Sequence, residues 1–361
     1  MKNHIFLYPL RRIHGIFHEW IETKKERWRY STYLRYPFGC EWYILGTPQH
    51  TNLGDSAIVL AEILFLEKCG IDKRRIKEVT TEEFKRHKDI VKKRIRQSDI
   101  VMLHGGGNMG DQWISEELLR RDMLNMFEKN RIILFPQTLY YSNTNTGQCE
   151  EKKSIPYYNR RNITIVAREH LSYRRIKDLY PNSNVLITPD IVLSVDKGAF
   201  SIPEQTRKGV LLCLRSDVEK AMSPKEHKEI ESFLLKQKCC FAKTDMYSDC
   251  AITKKNRKDC IRRKMNEFAA AELIITDRLH GMIFAAITET PCIVFSNCNH
   301  KVEGTYEWIK YLPYIRFVNS VEEMEKVFSE LISMENCEYD NTLLRPYFTK
   351  LAKAIKSRKI E

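Results

Sequence analysis

Residues 271–281 read Ala271-Glu272-Leu273-Ile274-Ile275-Thr276-Asp277-Arg278-Leu279-His280-Gly281, and the stretch continues to Pro291. The apolar run is a buried strand in outline, and Thr276-Asp277-Arg278 turns it polar at its end. A helix is expected over 282–288 and a second strand over 291–295. Strand, helix, strand is the repeating unit of a parallel α/β sheet. In open sheets of that kind, ligands bind beyond the carboxyl ends of the strands, where Arg278 and His280 stand. Arg278 offers a bidentate fork for a carboxylate or phosphate. His280 can move a proton near neutral pH. The pair points to chemistry on a small anion; the plainer alternative is a helix-start arginine beside a packed histidine.

The same alternation recurs outward from this stretch. Strands are expected over 42–45, 99–103, 131–135, 163–167 and 184–187, with helices over 55–69, 112–129 and 169–179. A polar segment at 197–208, carrying Gly198 and Pro203, interrupts the pattern. It then restarts with strands over 210–214 and 239–242 and helices over 224–236 and 259–271. The expected class is α/β, with two Rossmann-like domains whose parallel sheets face each other across a cleft. The domains are placed at 41–196 and 197–340. They are flanked by a basic aromatic segment (1–40) and a basic C-terminal helix (341–361).

At 361 residues, 43% hydrophobic and 30% charged, the chain has the composition of a folded two-domain protein rather than a disordered one. Its apolar runs fall short of the roughly 20 residues that span a bilayer. A cleaved signal is not expected, because Pro9 and Arg11-Arg12 interrupt the apolar run at 5–10. Eleven cysteines without zinc or redox spacing suit a reducing, cytoplasmic setting. The net charge of +13 is uneven: residues 1–40 carry eight Lys/Arg, three Glu and nine aromatics, and the last 21 residues carry six Lys/Arg and one Glu. Basic residues interleaved with Trp and Tyr suit an anionic membrane surface, on the inner face of the cell membrane. A merely solvated face ranks second. Nucleic acid ranks last, because no nucleic-acid motif accompanies the charge.

Further polar clusters fall at other expected strand ends. Gly46 to Ala57 is a strand-to-helix loop in which Asp55 either caps the helix or faces the cleft as a base, with Asn52 fixing the loop. His104-Gly105-Gly106-Gly107-Asn108 follows a strand; its amides can receive an anion, or its glycines can serve close backbone packing. No Gly-Lys-Ser/Thr follows, so it is not a Walker loop. Arg168 is a second cation at the same rim, unless it only pairs with Glu169 or Asp190. Thr188-Pro189-Asp190, Leu214-Arg215-Ser216-Asp217 and the segment 297–301 complete the set, and Lys301 can add positive charge.

Together, Asn52-x-Gly54-Asp55, Gly105-Gly106-Gly107-Asn108, Pro136-Gln137-Thr138, Arg168-Glu169-x-x-Ser172, Pro189-Asp190 and Asp277-Arg278-Leu279-His280-Gly281 resemble the polysaccharide pyruvyl transferase family over about residues 41–310. The resemblance implies a glycosyltransferase-B-like fold, with the acceptor on the N-terminal domain and the donor on the C-terminal one. It implies phosphoenolpyruvate as co-substrate, a glycan or lipid-linked oligosaccharide as acceptor, and a pyruvate ketal on a cell-surface polysaccharide as product. No cofactor is expected, and no metal-ligand cluster stands out in the sequence.

On this view His280 is the acid and Asp55 the base or acceptor anchor. Arg278 and Arg168 clamp the carboxylate and phosphate, and Asn52, Gly106, Gly107, Asn108, Gln137 and Lys301 complete the substrate contacts. Two alternatives stand beside it. One is a nucleotide-sugar glycosyltransferase of the same fold, with Glu289 on a ribose; the other is a non-catalytic scaffold for glycan assembly.

Overall fold

The structure is a computed structural model that describes residues 7–34, 41–215, 222–297 and 300–357, with side chains from residue 19 onward. Its first sheet is built from β1 (Trp42–Thr47), β2 (Ile76–Thr80), β3 (Ile100–Leu103), β4 (Gly106–Gly110), β5 (Arg131–Tyr140), β6 (Ile163–Ala167) and β7 (Asn184–Ile187). They run in the order β2-β1-β3-β5-β6-β7, all parallel, with β4 beside the far half of β5. The second sheet holds β8 (Val210–Cys213), β9 (Phe241–Thr244), β10 (Leu273–Thr276), β11 (Cys292–Phe295) and β12 (Ile315–Val318). Its order is β12-β11-β10-β8-β9, again all parallel. The central strands are buried end to end and almost wholly apolar, as strands covered on both faces by helices must be.

Strand order reverses between β1 and β3 in the first sheet and between β8 and β10 in the second. Such switch points open a crevice at the carboxyl ends of the strands, because the connections leave to opposite faces. The segments that emerge there are 48–55 and 104–105 from one sheet and 214–215 and 277–280 from the other. The 52–55, 104–105 and 277–280 parts of the sequence motifs therefore sit at the two switch points.

Local chemistry fixes the helix leaving each one. Asn52 caps the helix Leu53–Lys68, its side chain accepting from the amides of Gly54 and Asp55. The same helix ends before Gly70, whose φ of +84° suits a residue without Cβ. The helix Leu279–Ile287 starts at Arg278 with no side-chain cap.

One local expectation fails. The glycine-rich segment after β3 is not a loop running into a helix: residues 106–110 form β4, and β5 continues through Pro136 to Tyr140 to pair with it. Gly105, Gly107 and Gly110 have the spacing of a dinucleotide fingerprint, yet no helix follows until Ile114. Gly110 is needed because a Cβ there would lie 2.7 Å from the carbonyl carbon of Tyr140.

The two units share a core. Ala57, Ile58, Ala61 and Phe65 of the first domain join Met265, Phe268, Leu279, Met282 and Ile283 of the second in one buried apolar cluster. A buried ion pair reinforces it, Arg257 donating to Glu78 at 2.6 and 3.0 Å. The loop after β9 pairs with the one before Leu53: Leu53 N donates to Met246 O and Ser248 N to Thr51 O, each at 2.8 Å. The C-terminal helix Arg345–Lys356 returns to the first domain, where Arg131 donates to the carbonyls of Ala354 and Ser357. The N-terminal helix Leu7–Leu34 docks through Tyr30 and Leu34, with Arg27 on Asp89.

Candidate active site between the two domains

His280 occupies the first turn of its helix and crosses the domain junction to rest on Gly54. A Cβ at Gly54 would lie 2.7 Å from the imidazole Cγ and closer still to Nδ1. Gly54 is thus the seat of the imidazole, a role that the sequence alone leaves hidden. The other ring nitrogen, Nε2, lies 3.7 Å from Asp190 Oδ2 and makes no hydrogen bond. Burial holds the imidazole below its ordinary titration range. Asp190 opposes that shift, Arg168 adds to it, Asp55 opposes it, and Lys301 adds to it. His280 is therefore neutral at pH 7 in the ligand-free protein.

Asp190 is the hub of this group. It follows β7, and its Oδ1 accepts from Val192 N at 3.0 Å to start a short 3-10 turn. Its Oδ2 accepts from Arg168 Nη1 at 2.9 Å. Arg168 also donates through Nε to Thr138 Oγ1 at 2.7 Å, and its carbonyl accepts from Trp308 across the junction. The buried guanidinium reaches Gly107, where a Cβ would lie 2.6 Å from Nη2 and 3.6 Å from Lys301 Nζ. The glycine admits two cations close to the main chain. Asp55 stands at the mouth, partly exposed, with His50 Nε2 at 3.5 Å from its carboxylate.

The structure brings together His280, Arg168, Lys301, Asp55, Gly107 and Asp190. Arg278 stands apart. Its guanidinium donates to Asp245 at 2.6 and 2.7 Å and lies 5.1 Å over the Tyr247 ring, on the β8–β9 side of the second sheet. The expected convergence of two guanidinium groups on the imidazole is thus corrected: the cations that bear on His280 are Arg168 and Lys301. Residues two apart at a helix start point to different sides. Asp245 and Tyr247 were absent from the sequence expectations, although the polar end of β9 marks them. Beside Arg278, the buried Asp277 accepts from Arg215 N at 2.8 Å, and burial raises its carboxyl to about 6. Ser216 and Asp217 lie outside the described residues, as do positions 298 and 299 of the 297–301 segment.

Three further expected contacts hold the loops. Asn52 uses its side-chain oxygen as a helix cap. Gln137 is buried and donates to His104 O at 2.6 Å. Asn108 accepts from Arg120. Gly106, at φ +131°, starts β4. Behind them the buried Glu62 accepts from Gly105 N at 2.7 Å and lies 3.2 Å from His104 Nδ1, fixing the glycine segment from below. Glu289 precedes β11, so it lies at the amino end of the second sheet, away from the crevice, where Lys197 pairs with it. That position removes it as a ribose contact. Among the described residues no group of three or more His, Cys, Asp or Glu is placed to hold a metal ion.

The profile of the polysaccharide pyruvyl transferase family matches residues 52–299. The chain is 35% identical over 308 residues to General stress protein 30 of Bacillus subtilis, covering 82% of this chain and 87% of that one. It is 30% identical over 316 residues to Pyruvyl transferase 1 of Schizosaccharomyces pombe, covering 82% and 76%. Among solved structures, an uncharacterised Klebsiella pneumoniae protein is similar in fold, with a TM-score of 0.54, 19% identity, and coverage of 82% of this chain and 98% of that one. A Listeria monocytogenes structure described as a UDP-N-acetylglucosamine 2-epimerase gives a TM-score of 0.50 at 10% identity, covering 89% and 96%. These neighbours place the two-sheet architecture in the glycosyltransferase-B-like class.

Proposed function

The chain belongs to the polysaccharide pyruvyl transferase family, and from that premise we propose that it transfers pyruvate from phosphoenolpyruvate to a pair of sugar hydroxyls, forming a cyclic ketal. The observation that carries the reading is the seating of His280 on Gly54, ringed by Arg168, Lys301, Asp190 and Asp55. Phosphoenolpyruvate concentrates a phosphate and a carboxylate on three carbons, and two buried cations beside the uncapped start of a helix suit such an anion.

In the proposed reaction the methylene carbon of phosphoenolpyruvate takes a proton and becomes the methyl group. The central carbon turns cation-like, and one sugar hydroxyl adds to it. The C–O bond to phosphate then breaks, and the neighbouring hydroxyl closes the ring. The two hydroxyl protons are balanced by one new C–H bond and one proton on the phosphate. His280 is neutral before substrate arrives, and an adjacent phosphate dianion raises its titration, so it enters the reaction as imidazolium and the acid. Asp55, across the junction, accepts a hydroxyl proton or anchors the acceptor. Asp190 keeps the imidazole and Arg168 in register. The chemistry calls for no metal.

The test is incubation with phosphoenolpyruvate or with nucleotide sugars in the presence of glycan acceptors, followed by mass spectrometry and assay of the released group. The expected result is the mass gain of a pyruvate ketal together with inorganic phosphate. Release of a nucleoside diphosphate would establish the glycosyltransferase alternative instead. A chain inert with both donors would be the scaffold.

The N-terminal helix bears on where this happens. Trp20 and Trp28 are 55% and 70% exposed on one face with Ile21, Lys24 and Lys25, opposite the face that docks through Tyr30 and Leu34. Tryptophan with lysine on one helical face suits the headgroup layer of an anionic bilayer, where a lipid-linked acceptor would be met. Among the described residues no helix is long and apolar enough to cross a membrane. Replacing Trp20 and Trp28 with glutamate, which leaves the docked Tyr30 and Leu34 in place, is expected to abolish sedimentation with phosphatidylglycerol vesicles and to spare transfer to a soluble acceptor. Unchanged sedimentation would remove the membrane role.

A further inference from the structure

Between β9 and the helix Arg257–Ala269 the chain exposes Cys250, while Cys260 sits buried in the first turns of that helix. Their sulfurs are 3.9 Å apart. Arg263, three residues along the same helical face, brings Nη2 to 3.3 Å from Cys260 Sγ and 3.9 Å from Cys250 Sγ. The Ser248 hydroxyl lies 3.4 Å from Cys250 Sγ. One thiol faces solvent, a second waits behind it, and a guanidinium spans both. We propose that Cys250 and Cys260 form a thiol–disulfide exchange site at the domain junction, with a low-molecular-weight disulfide as its substrate.

In the first step the Cys250 thiolate attacks one sulfur of the small disulfide, whose S–S bond breaks and releases one thiolate. Cys260 then loses its proton to solvent and attacks Cys250 Sγ, expelling the second thiolate. The two protein thiols are oxidised to a disulfide and the small disulfide is reduced to two thiols. Ser248, Cys260 and Arg263 together hold the Cys250 thiol below its ordinary range, which enlarges its thiolate fraction. The site adjoins the interdomain pairing, because Met246 and Ser248 bond the segment that leads into Gly54. A crosslink therefore ties down the loop against which the first domain rests.

The experiment treats the full-length protein with oxidised glutathione, quenches with iodoacetamide, and reads intact mass and peptide map over time. The expected product has lost two hydrogens and carries a Cys250–Cys260 crosslink, formed faster than adducts at Cys149 and Cys240, the other exposed thiols among the described residues. C260A is expected to stop at a single glutathione adduct on Cys250, and the surface variant C250S to form neither product. R263Q slows the first step by about threefold for each unit that the thiol rises, since thiolate falls tenfold while nucleophilicity recovers about half of that on a logarithmic scale. Modification of Cys250 no faster than Cys240, or a wild-type adduct that persists without crosslinking, overturns the proposal.

Discussion

Gly54 and His280 make the sharpest prediction at the scale of single residues. The φ at Gly54 is not positive, so its backbone is not strained by a side chain, and the nearest atoms opposing a methyl there all belong to His280. G54A is expected to fold, to retain its circular dichroism spectrum, and to lose about a hundredfold in transfer rate as the ring is pushed aside. Wild-type activity in that variant would show that the ring position does not matter. H280Q is expected to lose on the order of 100- to 10,000-fold in turnover, the range for a positioned acid or base. D190N acts one step back. It removes the charge that supports the imidazolium, so the His280 resonance should titrate at still lower pH by NMR. An upward move would contradict the placement of Asp190.

Among elements, β10 and the helix after it are the most informative. The apolar run 273–276 and its polar end made strand, switch and helix legible, because a strand covered on both faces can hardly be written otherwise. Position was legible too, since ligands gather at carboxyl ends. Direction was not: which way Arg278 leaves its turn depends on Asp245 and Tyr247, more than 30 residues earlier and at the end of another strand. Asp190 was legible as a candidate partner of Arg168, and the two do pair, but its place beside His280 was not, because those residues become neighbours only when β6, β7 and the second domain assemble. The 106–110 segment misled because glycines usually mark loops, whereas here they let β4 press against Tyr140.

The end of β10 carries a pH signature. The carboxyl of Asp277 titrates at about 6 in the folded chain, against about 3.9 when unfolded. The folded state holds this proton more tightly, so the contribution to stability is full below about pH 4 and is lost as pH rises to about 6. D277N should flatten that slope and melt higher than wild type at pH 7.5, by differential scanning fluorimetry. A lower melting temperature would mean that the ionised carboxylate is needed for the turn.

For the whole molecule, the site exists only while the two sheets are docked. His280 comes from one domain, and Gly54, Asp190, Arg168 and Asp55 from the other. Docking rests on the shared apolar cluster and on the buried Glu78–Arg257 pair. E78A leaves Arg257 buried without its carboxylate, for a cost of about 3–5 kcal/mol, and urea denaturation should reveal it; a change under 1 kcal/mol would mean that water reaches the pair. The account is tested most directly by titrating phosphoenolpyruvate calorimetrically into wild type and H280Q at pH 7.5, in buffers of different ionisation enthalpy. It predicts binding by both proteins, with a proton taken up by wild type and that uptake absent from H280Q. Equal proton uptake by the two proteins, or no binding of phosphoenolpyruvate at all, would contradict it.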